Sequence, residues 1–244
     1  MKIVIISSRF PFPLDKGDKL RLFNQIKYLS VYNDIYLIAL NTDSKVSKLN
    51  YNNVKSYCKE LHVINISHAI IAINLLKSFI YQKPLQVGFF YSKCAHKQIK
   101  SIINKIKPDW VYSQLIRTAE YTKEYDNNII DYMDALSKGL ERRIQNCSFV
   151  LKPIIKREYK LTKDYENKIF SHFKKHTIIT KNDRNFISNP NKKEIKIIPN
   201  GVDMNYFKPK KITKKYDVIF VGNMSYPPNI EAAEFLCQKV LPII

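Results

Sequence analysis

The sequence predicts an α/β fold: a doubly wound, Rossmann-like parallel sheet, followed by the first βα unit of a second domain of the same kind. Three observations carry this. Short apolar, β-branched runs alternate with longer stretches of helical spacing, which implies parallel strands joined by crossover helices. The runs are apolar throughout, as expected of strands covered on both faces. A fresh strand–turn–helix signature begins at Tyr216, after the Lys-rich stretch from Lys208 to Lys215.

The elements follow in order. Lys2 to Ser7 reads as a central strand and Ser8 to Gly17 as a Pro-rich loop. Asp18 to Val31 has helical spacing, with Leu20, Phe23, Ile26, Tyr28 and Leu29 predicted inward and Lys19, Arg21 and Lys27 outward. Strands are expected at Asp34 to Leu40, His62 to Ile66, Asp109 to Ser113, Asn128 to Tyr132, Thr177 to Thr180 and Ile195 to Ile198. Helices are expected at Ser44 to Glu60, Ala69 to Tyr81, Lys93 to Lys107, Ser137 to Asn146 and Leu151 to Lys175, with a break near Pro84 and Gly88. The predicted domains are 1–207, a linker at 208–215 and the incomplete start of a second domain at 216–244. The strand and helix of that second piece are expected to show an apolar face through Val218, Phe220, Phe235 and Leu236.

The 244 residues are 45% hydrophobic and 25% charged, enough for a packed core and ordinary for a globular chain. The net charge of +20 is not ordinary. It points to an anionic partner or to a Lys-, Ile- and Asn-rich coding bias. Only seven of the 41 basic residues are arginine, and no recognised nucleic-acid module is present, so no nucleic-acid partner is expected. Cys58, Cys94, Cys147 and Cys237 are scattered, without metal or disulfide spacing. With no signal peptide in the opening residues, this predicts a reducing cytoplasm. The apolar stretch from Ala69 to Leu76 is too short to span a bilayer. With the basic faces at Lys97, Lys100, Lys105 and Lys107 and at Lys152, Lys156, Lys160 and Lys163, it suggests peripheral attachment to an anionic inner membrane face. Solvated helix surface is the plainer reading of those lysines.

Two loops carry candidate chemistry, both at carboxyl ends of strands, where such sheets bind ligands. Between the first strand and first helix, Lys16, Gly17, Asp18, Lys19 and Arg21 place positive charge, a small residue and a capping acid at a helix N-terminus. The loop has a single glycine and is neither a dinucleotide fingerprint nor a Walker loop. A plain capped turn is the alternative. After the fifth strand, Asp131 and Asp134 could act as a base, orient a hydroxyl or cap the next helix, with Asp134 or Ser137 as the cap. The D-x-x-D spacing predicts no metal. The five histidines lie apart, and His62 and His176 read as structural.

Taken together, Pro11 to Arg21, Ile130 to Asp134, Ile198 to Asp203 with Tyr206 to Pro209, and Phe220 to Met224 with Pro228, Asn229 and Val240 to Pro242 resemble the GT-B retaining glycosyltransferases, within them the sugar transferases of bacterial exopolysaccharide synthesis. The resemblance runs the whole length. It implies a nucleotide-sugar donor, a glycan or lipid-linked acceptor, no metal or other cofactor, and an active site in the cleft between an acceptor-side and a donor-side domain. It places Gly17 near the donor phosphates and Gly222 and Asn223 in the first phosphate-side loop of the donor domain. Asp131 and Asp134 fall where many relatives carry a cleft His–Asp pair, and no His stands there. The family's donor-phosphate Arg/Lys pair and E-x(7)-E motif are not within these residues. The resemblance therefore implies a chain inactive by itself, or an acceptor-binding module completed by a complementary donor-domain chain.

Overall fold

The computed structural model describes residues 1–42, 45–204, 206–209, 213, 215–224 and 227–243. The chain falls into two units, Met1–Asn200 and Gly201–Ile244.

The first unit runs β1 (Lys2–Ser7), α1 (Gly17–Leu29), β2 (Asp34–Asn41), α2 (Lys48–Lys55), β3 (Glu60–Asn65), α3 (His68–Ile80), α4 (Leu85–Phe90), α5 (Lys93–Ile106), β4 (Trp110–Gln114), β5 (Asn128–Asp131), α6 (Leu136–Asn146), α7 (Lys152–Phe170), β6 (Lys175–Ile178), α8 (Lys181–Phe186) and β7 (Lys196–Ile197). All seven strands are parallel, in the order β3-β2-β1-β4-β5-β6-β7. The sheet is the predicted doubly wound α/β fold. Its order reverses between β1 and β4, the switch point at whose carboxyl ends doubly wound sheets form their ligand crevice.

Residue alternation along β1 shows why both faces are apolar. Val4 and Ile6 pack with Ile99 and Ile103 of α5, while Ile3 and Ile5 pack with Leu22 and Ile26 of α1 and Val54 of α2. A third cluster joins Ile130 and Ile178 to Ile169 and Phe170 of α7.

Several predicted boundaries move, each because pairing or capping overrides spacing. Ser47 accepts from the Asn50 amide and caps α2, so the helix expected at 44–60 starts at Lys48; Ser44 lies outside the described residues. Glu60 is drawn into β3 opposite Tyr36. The helix expected to reach Lys175 stops at Phe170, because Lys175 pairs with Ile129. The break near Pro84 and Gly88 is itself the short helix α4, whose Leu85 amide is capped by Glu158 of α7 at 2.8 Å. Gly88 is required there: a Cβ would lie 1.9 Å from Ser78 Oγ on α3.

The phase of α1 also differs from expectation. Lys19 and Arg21 are buried with Leu22 and Ile26, whereas Leu20, Tyr28 and Leu29 are exposed. A charged side chain enters the interior because partners wait for it there, which hydrophobic spacing does not register.

The second unit contains α9 (Pro227–Phe235) and a following single π-type turn, Leu236–Val240. Among its described residues the strand expected from Tyr216 does not form, since a strand needs a neighbour to complete its backbone hydrogen bonds. Ile219 and Val221 are exposed, as are Val218, Phe220 and Phe235. Residues 210–212 and 214 of the predicted Lys-rich linker lie outside the described residues.

Candidate functional site

Asp18, Arg21, Asp131 and Asp134 gather at the carboxyl edge of the sheet. Arg21, on the second turn of α1, is 4% exposed at its side chain and faces a fully buried Asp131 at the end of β5. Its Nε donates to Asp131 Oδ2 at 2.9 Å. Its Nη1 donates to the Ile198 carbonyl at 3.0 Å and to Asn200 Oδ1 at 2.8 Å. Tyr112 OH donates to the same Asp131 oxygen at 2.7 Å, and the Met133 amide to Oδ1 at 3.1 Å. Burial, then the Asp131 charge, raises the Tyr112 hydroxyl well above its ordinary range, so it stays protonated and donating. Arg21 Nη2 is buried with no partner among the described residues.

This node settles where two predicted residues stand. Asp131 is sealed from solvent and its oxygens are engaged by protein groups, so it faces Arg21 rather than an incoming molecule. Arg21 ties α1, β5 and the Ile198–Asn200 segment together. Asn200, drawn in by the guanidinium, carried no site signal in the sequence beyond its place in the Ile-Pro-Asn-Gly run.

A second group lies beside it and is more open. Arg9 Nη1 pairs with Asp18 Oδ2 at 3.2 Å, and the Asp18 carbonyl accepts from Gln114 Nε2 at 2.8 Å. Arg117, three residues past β4, stacks its guanidinium 5.2 Å over the Phe90 ring, and its Nε is buried with no partner among the described residues. Burial, then repulsion from Arg9, pushes Arg117 down to about 10, so it remains a cation at neutral pH. Asp134 follows β5. Burial, then the nearby Asp183 carboxylate of α8, pushes its carboxyl up to about 6, against the pull of Arg117. Asp134 is exposed over part of its surface while protein crowds its carboxyl; solvent on the open side screens these charges, and the upward direction is what the geometry carries.

Two non-glycine residues hold left-handed backbone at this edge: Leu115 (φ 65°) after β4 and Met133 (φ 60°) after β5. They turn the chain sharply, setting Arg117 and Asp134 just past the strands. Such outliers concentrate at functional edges.

The predicted caps do not form. The residue at the α1 N-cap is Lys16, with no side-chain cap, and Asp18 sits inside the first turn paired to Arg9. At α6 the N-cap is Ala135, and neither Asp134 nor Ser137 caps it; the Ser137 amide is taken by Glu166 at 3.1 Å. Lys16 and Gly17 are exposed, and a Cβ on Gly17 would meet nothing within 4 Å. Lys19 pairs with Asp15 at 2.9 Å. In the second unit Gly222 is exposed, though a Cβ there would lie 3.0 Å from Asn229, whose Nδ2 donates to the Asn223 carbonyl at 3.0 Å. Arg9 lies in the Pro-rich loop without a motif of its own, and Arg117, Asp183 and Tyr112 carry none either; only the sheet brings them together. Among the described residues no group of three or more His, Cys, Asp or Glu is placed to hold a metal ion.

The fold and this edge define a Rossmann-like α/β domain with a charged carboxyl-end crevice. No protein-family model matches the chain, and no curated protein matches it. Among solved structures it is similar to Phytolacca americana UGT2 complexed with UDP-2fluoro-glucose and pterostilbene, at 12% identity and a TM-score of 0.45. The match covers 82% of this chain and 54% of that one, so this chain spans about half the length of that structure. Among the described residues no helix is long and apolar enough to cross a membrane.

Proposed function

We propose that this protein is a glycosyltransferase of the retaining GT-B kind, moving a sugar from a nucleotide-sugar donor to a glycan or lipid-linked acceptor in cell-surface polysaccharide synthesis at the cytoplasmic side. The observation that carries this reading is the convergence of Arg9, Arg117 and Asp134 at the switch point of the sheet: two cations beside an acid tuned toward neutrality. Such an edge suits an acceptor hydroxyl together with an anionic group. Asp134 would accept a hydrogen bond from the hydroxyl and take its proton as the new glycosidic bond forms and the bond from the anomeric carbon to the donor phosphate oxygen breaks, the nucleoside diphosphate leaving with the electron pair. Arg117 and Arg9 would hold negative charge, and Lys16 and the uncapped α1 N-terminus would add to the positive field. Asp131 would act by holding Arg21 and the Ile198–Asn200 segment in position. Gly222 and Asn223 would contribute a backbone loop for the donor phosphates. No metal is assigned to this chemistry.

A second reading is favoured by the second unit, where Ile219, Val221 and Phe235 are exposed and no strand forms among the described residues. In that reading the chain is an acceptor-binding module, inactive alone and completed by a donor-domain chain.

Titration calorimetry with nucleotide sugars and acceptor oligosaccharides, alongside a transfer assay, tests both. The first reading expects transfer that falls roughly a hundredfold or more in Asp134→Asn. The second expects acceptor binding weakened by Arg117→Met, with transfer appearing only on adding a donor-domain chain. Binding and transfer unaffected by both substitutions would remove the crevice from the function.

A further inference from the structure

The α6–α7 hairpin projects from the same carboxyl edge of the sheet that holds the charged crevice. At its base Glu166 of α7 accepts from the Ser137 hydroxyl at 2.6 Å, and its carbonyl accepts from Tyr132 OH, just past β5. The α7 residues before it, from Lys152 to Tyr165, therefore stand beyond the sheet, a rise of about 21 Å at the helical spacing. Tyr159 OH reaches Glu141 Oε1 at 3.4 Å and keeps the two helices together along the way.

The tip of this hairpin is apolar and open. Phe149 is 89% exposed and Val150 80%, with Leu151 and Ile154 exposed behind them. The outer face of α3 joins it. Arg157 of α7 donates to the Phe79 carbonyl at 2.7 Å, and its guanidinium lies 4.4 Å over the Phe79 ring. Ile73, Leu76, Phe79 and Ile80 are each more than half exposed. Monomeric soluble proteins seldom leave such surface uncovered unless it binds something.

Charge identifies the occupant. Residues 68–90 and 142–157 contain no Asp or Glu, although the chain has 21 in all. They do contain Lys77, Lys83, Arg142, Arg143, Lys152, Lys156 and Arg157. A second copy would bring this same cationic surface against itself. We propose that this face docks on an anionic lipid bilayer. Phe149 and Val150 enter the boundary between headgroups and acyl chains, and the surrounding bases meet lipid phosphates. A lipid-linked molecule held in that surface would then lie on the crevice side of the sheet. The docking itself does not depend on sugar transfer, and it stands or falls by lipid binding alone.

Vesicle flotation of the full chain tests this, comparing phosphatidylcholine vesicles with and without phosphatidylglycerol. Binding is expected to the anionic vesicles and to weaken with salt. Replacing Phe149 and Val150 with Asp should lower it roughly tenfold or more, as should replacing Arg142, Arg143, Lys152 and Lys156 with Gln. Replacing Lys97, Lys100, Lys105 and Lys107 on α5 with Gln should leave most of it. Failure of the intact chain to bind anionic vesicles would overturn the proposal. So would unchanged binding of either hairpin variant, or a loss in the α5 variant equal to theirs. A dimer in the ultracentrifuge that the tip variant dissociates would assign the face to a second copy instead. Should the tip variant not fold, the Arg/Lys→Gln variant decides the matter, with undiminished binding again overturning it.

Discussion

Arg21 and Asp131 stand 110 positions apart in the chain and meet in the interior, Nε to Oδ2 at 2.9 Å, both closed off from solvent. The pair is shared with Tyr112, and the arginine's other nitrogen, Nη1, holds Ile198 and Asn200. It is the point at which the first helix, the fifth strand and the last segment of the domain are fastened. Its value lies in registry, because a buried ion pair recovers little net energy once desolvation is counted.

Removing one member of that pair should be costly. Asp131→Ala leaves a buried guanidinium without its counter-charge and is expected to cost about 3–5 kcal/mol in denaturant unfolding. Asp131→Asn keeps a hydrogen-bond acceptor and should cost less. A loss under about 1 kcal/mol in the alanine variant would show that the fold does not depend on this node.

Asp134 should titrate above the ordinary carboxylate range, near pH 6, when followed by carbon-detected NMR. The Asp183 carboxylate raises it and the Arg117 cation lowers it, so Asp183→Asn should move the midpoint down and Arg117→Met should move it up. If Asp134 acts as the base, transfer should rise with pH through the same midpoint. A midpoint at the free-aspartate value, insensitive to both substitutions, would contradict the crowded geometry of the crevice.

Glu166 gives the domain a pH-dependent stability. Burial, only partly offset by hydrogen bonds from Ser137, pushes its carboxyl up from 4.5 to about 7. A raised folded-state pKa favours the protonated form. Its contribution is therefore full below about pH 4.5 and lost as pH rises through about 7. The difference across that window is on the order of 3 kcal/mol. Glu166→Gln should flatten the corresponding fall in unfolding free energy between pH 5 and 8, roughly by that amount. An identical pH dependence in the variant would assign the effect to other groups.

Gly88→Ala should destabilise the contact between α3 and α4, since the new methyl would overlap Ser78 Oγ, which a Cβ would approach to 1.9 Å. A drop of about 1–3 kcal/mol is expected, with partial recovery in the double variant carrying Ser78→Ala. Full stability of the single variant would mean that the two helices separate freely.

Much of the fold is legible in the sequence because apolar runs and helical spacing are local. A parallel strand such as Lys2–Ser7 is apolar on both faces whatever its neighbours, and a cap such as Ser47 or Ser92 is satisfied within a few residues. Composition and the two loops after the first and fifth strands likewise point to the carboxyl edge of a doubly wound sheet as the place for chemistry. The side chains that complete that edge are not legible in this way. Arg117, Asp183 and Tyr112 come from separate stretches of chain and meet only through strand order. Arg21 reads as a surface residue until Asp131 and Asn200 draw it inward. Asp134 becomes a tuned acid only when folding crowds its carboxyl and brings Asp183 beside it. Spacing records what each segment prefers by itself, whereas desolvation, pairing and charge repulsion exist only between groups that folding has already brought together.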